Sequence, residues 1–304
     1  NLTAQSLDNS GQIIGVNGLE VQVSDLTNSG VIQGNNTAKI TLSGAENSGL
    51  IMGGNELIID ASAMTNNATI QSNGNLTLSG TQIRNNGTVL STDKMDVTVS
   101  GINNDGLMQS NELIISNKAI ANTGTMIGQE NIELDATTIA NNNGGYIQGN
   151  NTLGIKATAL VNEGVVYGQG DTSLDASTIE NEGTIQSSEA LKVSGADIIN
   201  RGFMIGAKSV AMEANNLNNE YGGMVQSGDE ISLVSTRMDN AGTILSVGNV
   251  TGEIETINNS GIMQSNTQLN LTVSELANSG QLLGKSNVVM GIEQGLNTGL
   301  IQSW

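Results

Sequence analysis

Histidine, cysteine and proline are all absent from the 304 residues, and each absence removes a class of function. Without histidine the chain lacks the commonest general base and the commonest metal ligand. A Ser-His-Asp triad in its usual form is excluded. Without cysteine there is neither a disulfide framework nor a thiolate metal site, and cysteine usage says nothing about redox compartment. Aromatic residues make up only 2%, so an aromatic-rich core is excluded. No apolar run reaches the roughly 18–20 residues of a membrane-spanning helix, so membrane insertion of this segment is not expected. Cations are scarce: ten Lys and Arg stand against 29 Asp and Glu, for a net charge of −19. Such a charge repels phosphate backbones and anionic lipids, which argues against a nucleic-acid partner, and it keeps a long repeat array soluble and monomeric.

What the chain has instead is a period. Asn47-Ser48-Gly49-Leu50-Ile51-Met52-Gly53 recurs about every nineteen residues, with its first glycine at Gly11, Gly30, Gly49, Gly87, Gly106, Gly124, Gly145, Gly164, Gly183, Gly202, Gly223, Gly242, Gly261, Gly280 and Gly299, and Ala68 in the one gap. One spacing is 18 (Gly106 to Gly124) and two are 21, where 141–146 and 218–224 carry extra residues. A short, regular period signifies a solenoid, in which each unit buries its apolar side only against its neighbours. The length alone suggests two domains, but the unbroken period reads as one continuous domain over 1–304, cut from a longer protein.

Two residues after the glycine every side chain is aliphatic, from Ile13 to Ile301, and four residues after it every residue is Gly or Ser. Apolar residues then alternate with period two, as in Leu19-x-Val21-x-Val23, and a further apolar residue precedes the next glycine by four, as at Leu26, Met64 and Ile179. Period-two alternation belongs to half-buried strands. Three short strands per nineteen residues predict an all-β, single-stranded parallel β-helix of about sixteen coils, right-handed by the crossover rule. At about 4.8 Å per coil, fifteen steps predict a length of roughly 70 Å.

Two residues before the glycine stands an asparagine: Asn9, Asn28, Asn47, Asn66, Asn85, Asn104, Asn122, Asn143, Asn162, Asn181, Asn200, Asn240, Asn259, Asn278 and Asn297, with Asn219 serving at the long turn near Tyr221. Two readings fit. The column is either an inward ladder in which each amide donates to the next carbonyl, or a set of exposed turns exploiting the tolerance of Asn and Gly for positive φ. At Ala68 the second feature predicts that Asn67 or Asn66 absorbs a positive φ.

Three residues after the glycine, apolar residues and Gln alternate without exception: Ile14, Gln33, Met52, Gln71, Leu90, Gln109, Ile127, Gln148, Tyr167, Gln186, Ile205, Gln226, Leu245, Gln264, Leu283, Gln302. The true unit is therefore a pair of coils of about 38 residues. With Tyr146 and Phe203 from the adjoining column, the apolar members form an outward stripe. It serves either as a docking surface or as the trace of a duplicated two-coil ancestor. Charges also stack, as in Asp135, Lys156 and Asp175, and in Glu163, Glu182 and Arg201, where exposed pairs are worth only about 0–1 kcal/mol each.

Paired carboxylates could serve a glycosidase-like mechanism, and Asp229-Glu230 and Glu163/Glu182 are the best pairs. The two insertions add only about two residues each, too few to build a cleft, so no enzyme, catalytic residue or cofactor is expected. Gly168-Gln169-Gly170-Asp171 is a single weak match to the calcium-binding nonapeptide signature, and no metal site is expected from it.

At Leu7-Asp8-Asn9-Ser10-Gly11-Gln12-Ile13-Ile14-Gly15, at Leu276-Ala277-Asn278-Ser279-Gly280 and along the whole array, the sequence resembles the haemagglutinin repeat of large two-partner-secreted exoproteins of Gram-negative bacteria. That group includes filamentous haemagglutinin adhesins and the CdiA-type proteins of contact-dependent growth inhibition. The resemblance implies a β-helical filament on the cell surface, exported by an outer-membrane partner transporter. It further implies a stalk that projects a distal adhesin or toxin-delivery module towards a receptor on a target bacterium or host cell. The family's secretion domain and any toxin module lie outside these residues.

Overall fold

The computed structural model describes all residues, 1–304. It contains strands and turns and no helix. The chain divides into two compact units, Asn1–Asn150 and Asn151–Trp304.

Each unit is a parallel β-solenoid with eight turn positions, at Gly11 to Gly145 in the first and Gly164 to Gly299 in the second. A typical coil of the first unit has a four-residue strand, Leu50–Gly53, a two-residue bend, and an eleven-residue strand, Glu56–Asn66. Both pair in parallel with their equivalents one coil on, so that Ile51 faces Ile70, Ile59 faces Leu78 and Asn66 faces Asn85. The second unit repeats the arrangement. There Ala190–Asn200 lies beside Ser209–Asn219, with Leu191 facing Val210 and Asn200 facing Asn219.

The expected three short strands are two. The second and third inward contacts belong to one long strand that turns a corner. In Glu56–Asn66, Leu57, Ile59 and Ala61 are buried in alternation, Ser62 and Ala63 are both exposed, and Met64 and Asn66 are buried again. Two consecutive outward residues shift the alternation by one, and this is how the chain bends without leaving the ladder.

The core is a set of columns running from coil to coil. Ile32, Ile51, Val89, Met108, Met126 and Ile147 are fully buried in the first unit, and Val166, Ile185, Met204, Ile244, Met263 and Leu282 in the second. Each contributes about 1.5–3 kcal/mol by leaving water. The Gly/Ser position closes the short strand. In several coils where it is Ser, its hydroxyl donates to a turn carbonyl of the preceding coil, as in Ser187 to Gly170 O (2.8 Å) and Ser265 to Gly248 O (2.7 Å).

Irregular spacings are absorbed locally. The missing residue between Gly106 and Gly124 appears as a register shift between Ser110 and Glu112, and the strands there run on as Leu107–Asn122 and Thr125–Asn141. Each two-residue insertion loops out between the asparagine and the glycine. Gly145 N donates to Asn142 O (2.8 Å) and Gly223 N to Glu220 O (2.9 Å), around Gly144 and Gly222 at φ 86° and 89°.

The turn glycines need correction. No residue other than glycine has positive φ, and the only glycines that do are Gly80, Gly144 and Gly222. Asn66 and Asn67 therefore absorb nothing of the kind. The column demands glycine because successive turns approach closely: a Cβ on Gly183 meets the Gly164 carbonyl, and one on Gly280 the Gly261 carbonyl, at separations under 3.0 Å. At Ala68 the chain carries that Cβ. The next amide, Thr69 N to Gly49 O, spans 3.1 Å, whereas the equivalent bonds at Leu50, Leu107 and Thr184 span 2.8–2.9 Å. The bond after Ala68 is thus 0.2–0.3 Å longer than these equivalents, and Ala68 does not have a positive φ.

Candidate functional site

The most ordered polar feature of each unit is the asparagine column at the end of the long strand. In the first unit the Nδ2 of Asn9, Asn28, Asn47, Asn66 and Asn85 donates to the Oδ1 of the asparagine one coil on, each at 2.8 Å. Asn104 donates in the same way to Asn122, and Asn122 to Asn141. In the second unit the chain of amides runs from Asn162 through Asn181, Asn200, Asn219, Asn240, Asn259 and Asn278 to Asn297, at 2.6–2.9 Å. Each amide has two N–H groups, and the second goes to the carbonyl that follows the next turn glycine. Asn28 reaches Leu50 O at 3.2 Å and Asn181 reaches Phe203 O at 3.1 Å. From Asn9 to Asn278 these side chains are buried, most with no exposure at all, and only the last, Asn297, is exposed. A buried column of amides is affordable because parallel in-register stacking gives every donor an acceptor.

At the two insertions the ladder member is the residue before the extra pair. Asn219 occupies the column, and so does Asn141, whereas Asn143 is exposed in the loop. Counting two residues back from the glycine fails there because the insertion lies between them. The outward turn must start after the buried amide, or the ladder would be cut.

The outward stripe is half-buried over most of its length. Met52, Leu90, Ile127, Tyr146, Tyr167, Ile205, Leu245 and Leu283 are all partly covered, while Ile14 and Phe203 are 50% and 46% exposed. In-register stacking sets each apolar member against a Gln on either side, as with Gln33, Met52 and Gln71, or Gln226, Leu245 and Gln264. At this spacing neighbours in a column cover one another. Several glutamine amides are also spent locally: Gln33 donates to Asn35 at 2.8 Å, Gln71 to Asn73 at 3.0 Å and Gln264 to Asn266 at 3.2 Å. The tyrosine hydroxyls are engaged as well, Tyr146 with Gln148 (2.7 Å) and Tyr167 with Ser188 (2.9 Å).

The charged columns form surface pairs. Arg201 bridges Glu182 and Glu220 at 3.3 and 2.8 Å, and the hydrogen bond to Glu220 is the main cause of its raised pKa. Glu163 is exposed and outside that network, and Lys156 lies beside Asp175 in register without an ion pair. Partial burial pushes the Asp239 carboxyl up, but hydrogen bonds from Arg237 and Asn258, with the Arg237 charge, outweigh it and hold the pKa below the ordinary value. Lys208 is raised by its hydrogen bond and charge pairing with Glu189.

Asp229 and Glu230 are exposed neighbours on an open surface. Asp171 Oδ1 accepts the Ala190 amide at 3.3 Å, so the weak calcium match is a turn hydrogen bond. No group of three or more acidic, His or Cys side chains converges as a metal site would require.

Comparison with known proteins supplies the family. The model of the haemagglutinin repeat matches residues 1–125 and again 122–183, more than half of the chain. No curated protein and no solved structure matches it. With the period, the parallel coils and the family match in agreement, this chain belongs to the haemagglutinin-repeat family of filamentous-haemagglutinin-type exoproteins.

Proposed function

We propose that the chain is the stalk of a cell-surface exoprotein, exported through the outer membrane by a partner transporter, whose work is to hold a distal adhesin or toxin-delivery module away from the cell. The observation that carries this reading is the absence of any interruption within a coil stack. Within each unit every ladder asparagine pairs with the next, the insertions are two-residue loops, and no metal-like cluster of acidic side chains converges. The period runs in sequence through residue 150 without a linker, which supports reading 1–304 as one array. Solenoids whose coils contact only their neighbours suit this task, because length is changed by adding coils without redesigning a core.

A second reading is favoured by Phe203, an aromatic ring 46% exposed on the stripe. In it the stripe engages a receptor, a glycan or another filament directly. Two variants of the full protein separate the two. Deleting residues 164–201, two complete coils, preserves the apolar/Gln alternation and shortens a stalk without removing a binding surface elsewhere. Replacing Tyr146, Tyr167 and Phe203 by Ser removes the stripe's aromatic groups and leaves the length intact. A stalk predicts that both variants still reach the surface and still bind target cells. Loss of binding by the triple variant, with export unchanged, moves the function to the stripe.

A further inference from the structure

Four asparagines in the chain are followed by glycine: Asn17, Asn73, Asn86 and Asn143. Such a pair can react with itself. The glycine amide nitrogen and the asparagine carboxamide carbon are tethered closely enough to close a five-membered ring, and glycine has no Cβ to obstruct the approach. Closure requires backbone and side chain to rotate out of the hydrogen bonds that hold them, so a pair fixed in the stack must wait for local opening.

The coil stack fixes two of the four. Gly87 N donates to Asn66 O at 3.0 Å, Asn86 Nδ2 donates to Asn67 Oδ1 at 2.7 Å, and Asn86 Oδ1 accepts Arg84 Nε at 3.0 Å, so both reacting groups are engaged. Asn73 N donates to Gly53 O at 3.1 Å, Asn73 Oδ1 accepts Gln71 Nε2 at 3.0 Å, and Gly74 N donates to Ser72 Oγ at 3.4 Å. Asn143 differs. With Gly144 it forms the centre of the first insertion loop, closed by the bond from Gly145 N to Asn142 O, and Gly144 at φ 86° makes this a type II turn. Both residues are exposed, and neither the Asn143 carboxamide nor the Gly144 amide has a hydrogen-bond partner. The second insertion repeats the turn around Gly222 but sets Tyr221 where Asn143 stands, so it has no carboxamide to react. Asn17 and Gly18, in the bend of the first coil, are exposed and unbonded as well.

We propose that Asn143 is a site of spontaneous deamidation, with water as the co-reactant. Gly144 N loses its proton to solvent base and bonds to Asn143 Cγ, while the Cγ–Nδ2 bond breaks and Nδ2 takes up a proton to leave as ammonia. Water then opens the resulting succinimide. Opening at Cγ gives aspartate, and opening at the Asn143 backbone carbon gives isoaspartate, whose main chain runs through the former side chain; no atom is oxidised or reduced. The fold accepts either product because the loop ends are pinned outside it: Asn141 Oδ1 accepts Asn122 Nδ2 at 2.8 Å, and Asn141 Nδ2 donates to Gly145 O at 3.3 Å. The modification is independent of the stalk reading, since it follows from the loop alone.

Peptide mapping by mass spectrometry, after incubation of the full chain at mildly alkaline pH, reads each site separately. Deamidation at Asn143, and at Asn17, should be at least about tenfold faster than at Asn73 and Asn86. In denaturant the four rates should converge to within about threefold, because all four share the dipeptide and none is held. Deleting Asn143 and Gly144 restores the nineteen-residue spacing and leaves Asn142 beside Gly145, in the setting of Asn86 and Gly87. The dipeptide survives this deletion, yet it should react at least about tenfold more slowly than Asn143 does in the parent chain. Asn143→Asp should melt with the parent. Equal rates at Asn143 and Asn86 in the folded chain, a spread in denaturant as wide as in the folded state, or undiminished reaction at Asn142 in the shortened chain overturns the proposal; a lowered melting temperature of Asn143→Asp overturns the claim that the fold accepts the product.

Discussion

Asn181→Leu tests the worth of the amide ladder, because leucine keeps the branched heavy-atom skeleton of asparagine, in a bulkier form, and supplies none of its hydrogen bonds. Asn181 is fully buried. Its Oδ1 accepts Asn162 Nδ2 at 2.8 Å, and its Nδ2 donates to Asn200 Oδ1 at 2.8 Å and Phe203 O at 3.1 Å. The substitution leaves Asn200 Oδ1 without its donor, deprives Phe203 O of one, and removes an acceptor from Asn162, which keeps its bond to Thr184 O at 3.2 Å. A stranded buried polar group costs about 1–3 kcal/mol. Two groups fully affected give roughly 2–6 kcal/mol, lowered by whatever apolar contact the leucine gains. Solenoid stability is nearest-neighbour in character, so the loss should stay within the flanking coils. Hydrogen exchange read by mass spectrometry should show amides between Gly164 and Gly202 exchanging orders of magnitude faster, with those near Gly261 and Leu269 unchanged. Unchanged exchange between Gly164 and Gly202 would refute the claim that the ladder contributes to stability. Uniform acceleration across the unit would refute the nearest-neighbour account.

Asn143→Ala should be thermally silent because that side chain is exposed, whereas Asn141→Leu should lower the melting temperature as Asn181→Leu does; equal effects would mean that the ladder does not pass through Asn141. Gly183→Ala drives a Cβ towards the Gly164 carbonyl and should cost about 1–3 kcal/mol in chemical denaturation, as overpacking does. Ala68→Gly should be neutral within about 1 kcal/mol, since relief of the lengthened Thr69 bond is offset by the chain entropy of glycine; a large gain would mean that Ala68 is severely strained. Asp239 has a lowered folded pKa, so its stabilisation is fully present above the unfolded carboxylate value and is lost as pH falls through the folded pKa. Being partly exposed, it is worth less than about 1 kcal/mol. Asp239→Asn should therefore lower the melting temperature slightly at pH 7 and not at pH 2, and a deficit that persists at pH 2 would assign the effect to packing.

Much of this was legible in the chain because a solenoid repeats its instructions. The aliphatic column from Ile13 to Ile301, the Gly/Ser column and the near-invariant asparagine each specify one place in a coil, and repetition makes even a short strand recognisable. The miscounts fell where identical local sequence has two geometric outcomes. Asn143 and Asn141 both precede a glycine pair within a few residues, and only stacking on Asn122 selects the second. Met64 looks in sequence like the start of a separate strand, because a corner made by two consecutive outward residues looks like an end. The half-burial of the stripe has no sequence signal, because alternation reports which side a residue faces and not how far its neighbours cover it.

The site divides in the same way. From the sequence came the lack of histidine and cysteine, the net charge, the period and the columns, and with them the class of molecule. Only the tertiary structure showed that the turn glycines answer to the carbonyl of the preceding coil and not to positive φ. It alone set Asp175, Glu213 and Glu253 in one outward column on alternate coils. The reason is one of distance. Residues nineteen apart carry no local signal about each other, and whether they meet, cover or repel is decided when coils stack about 4.8 Å apart.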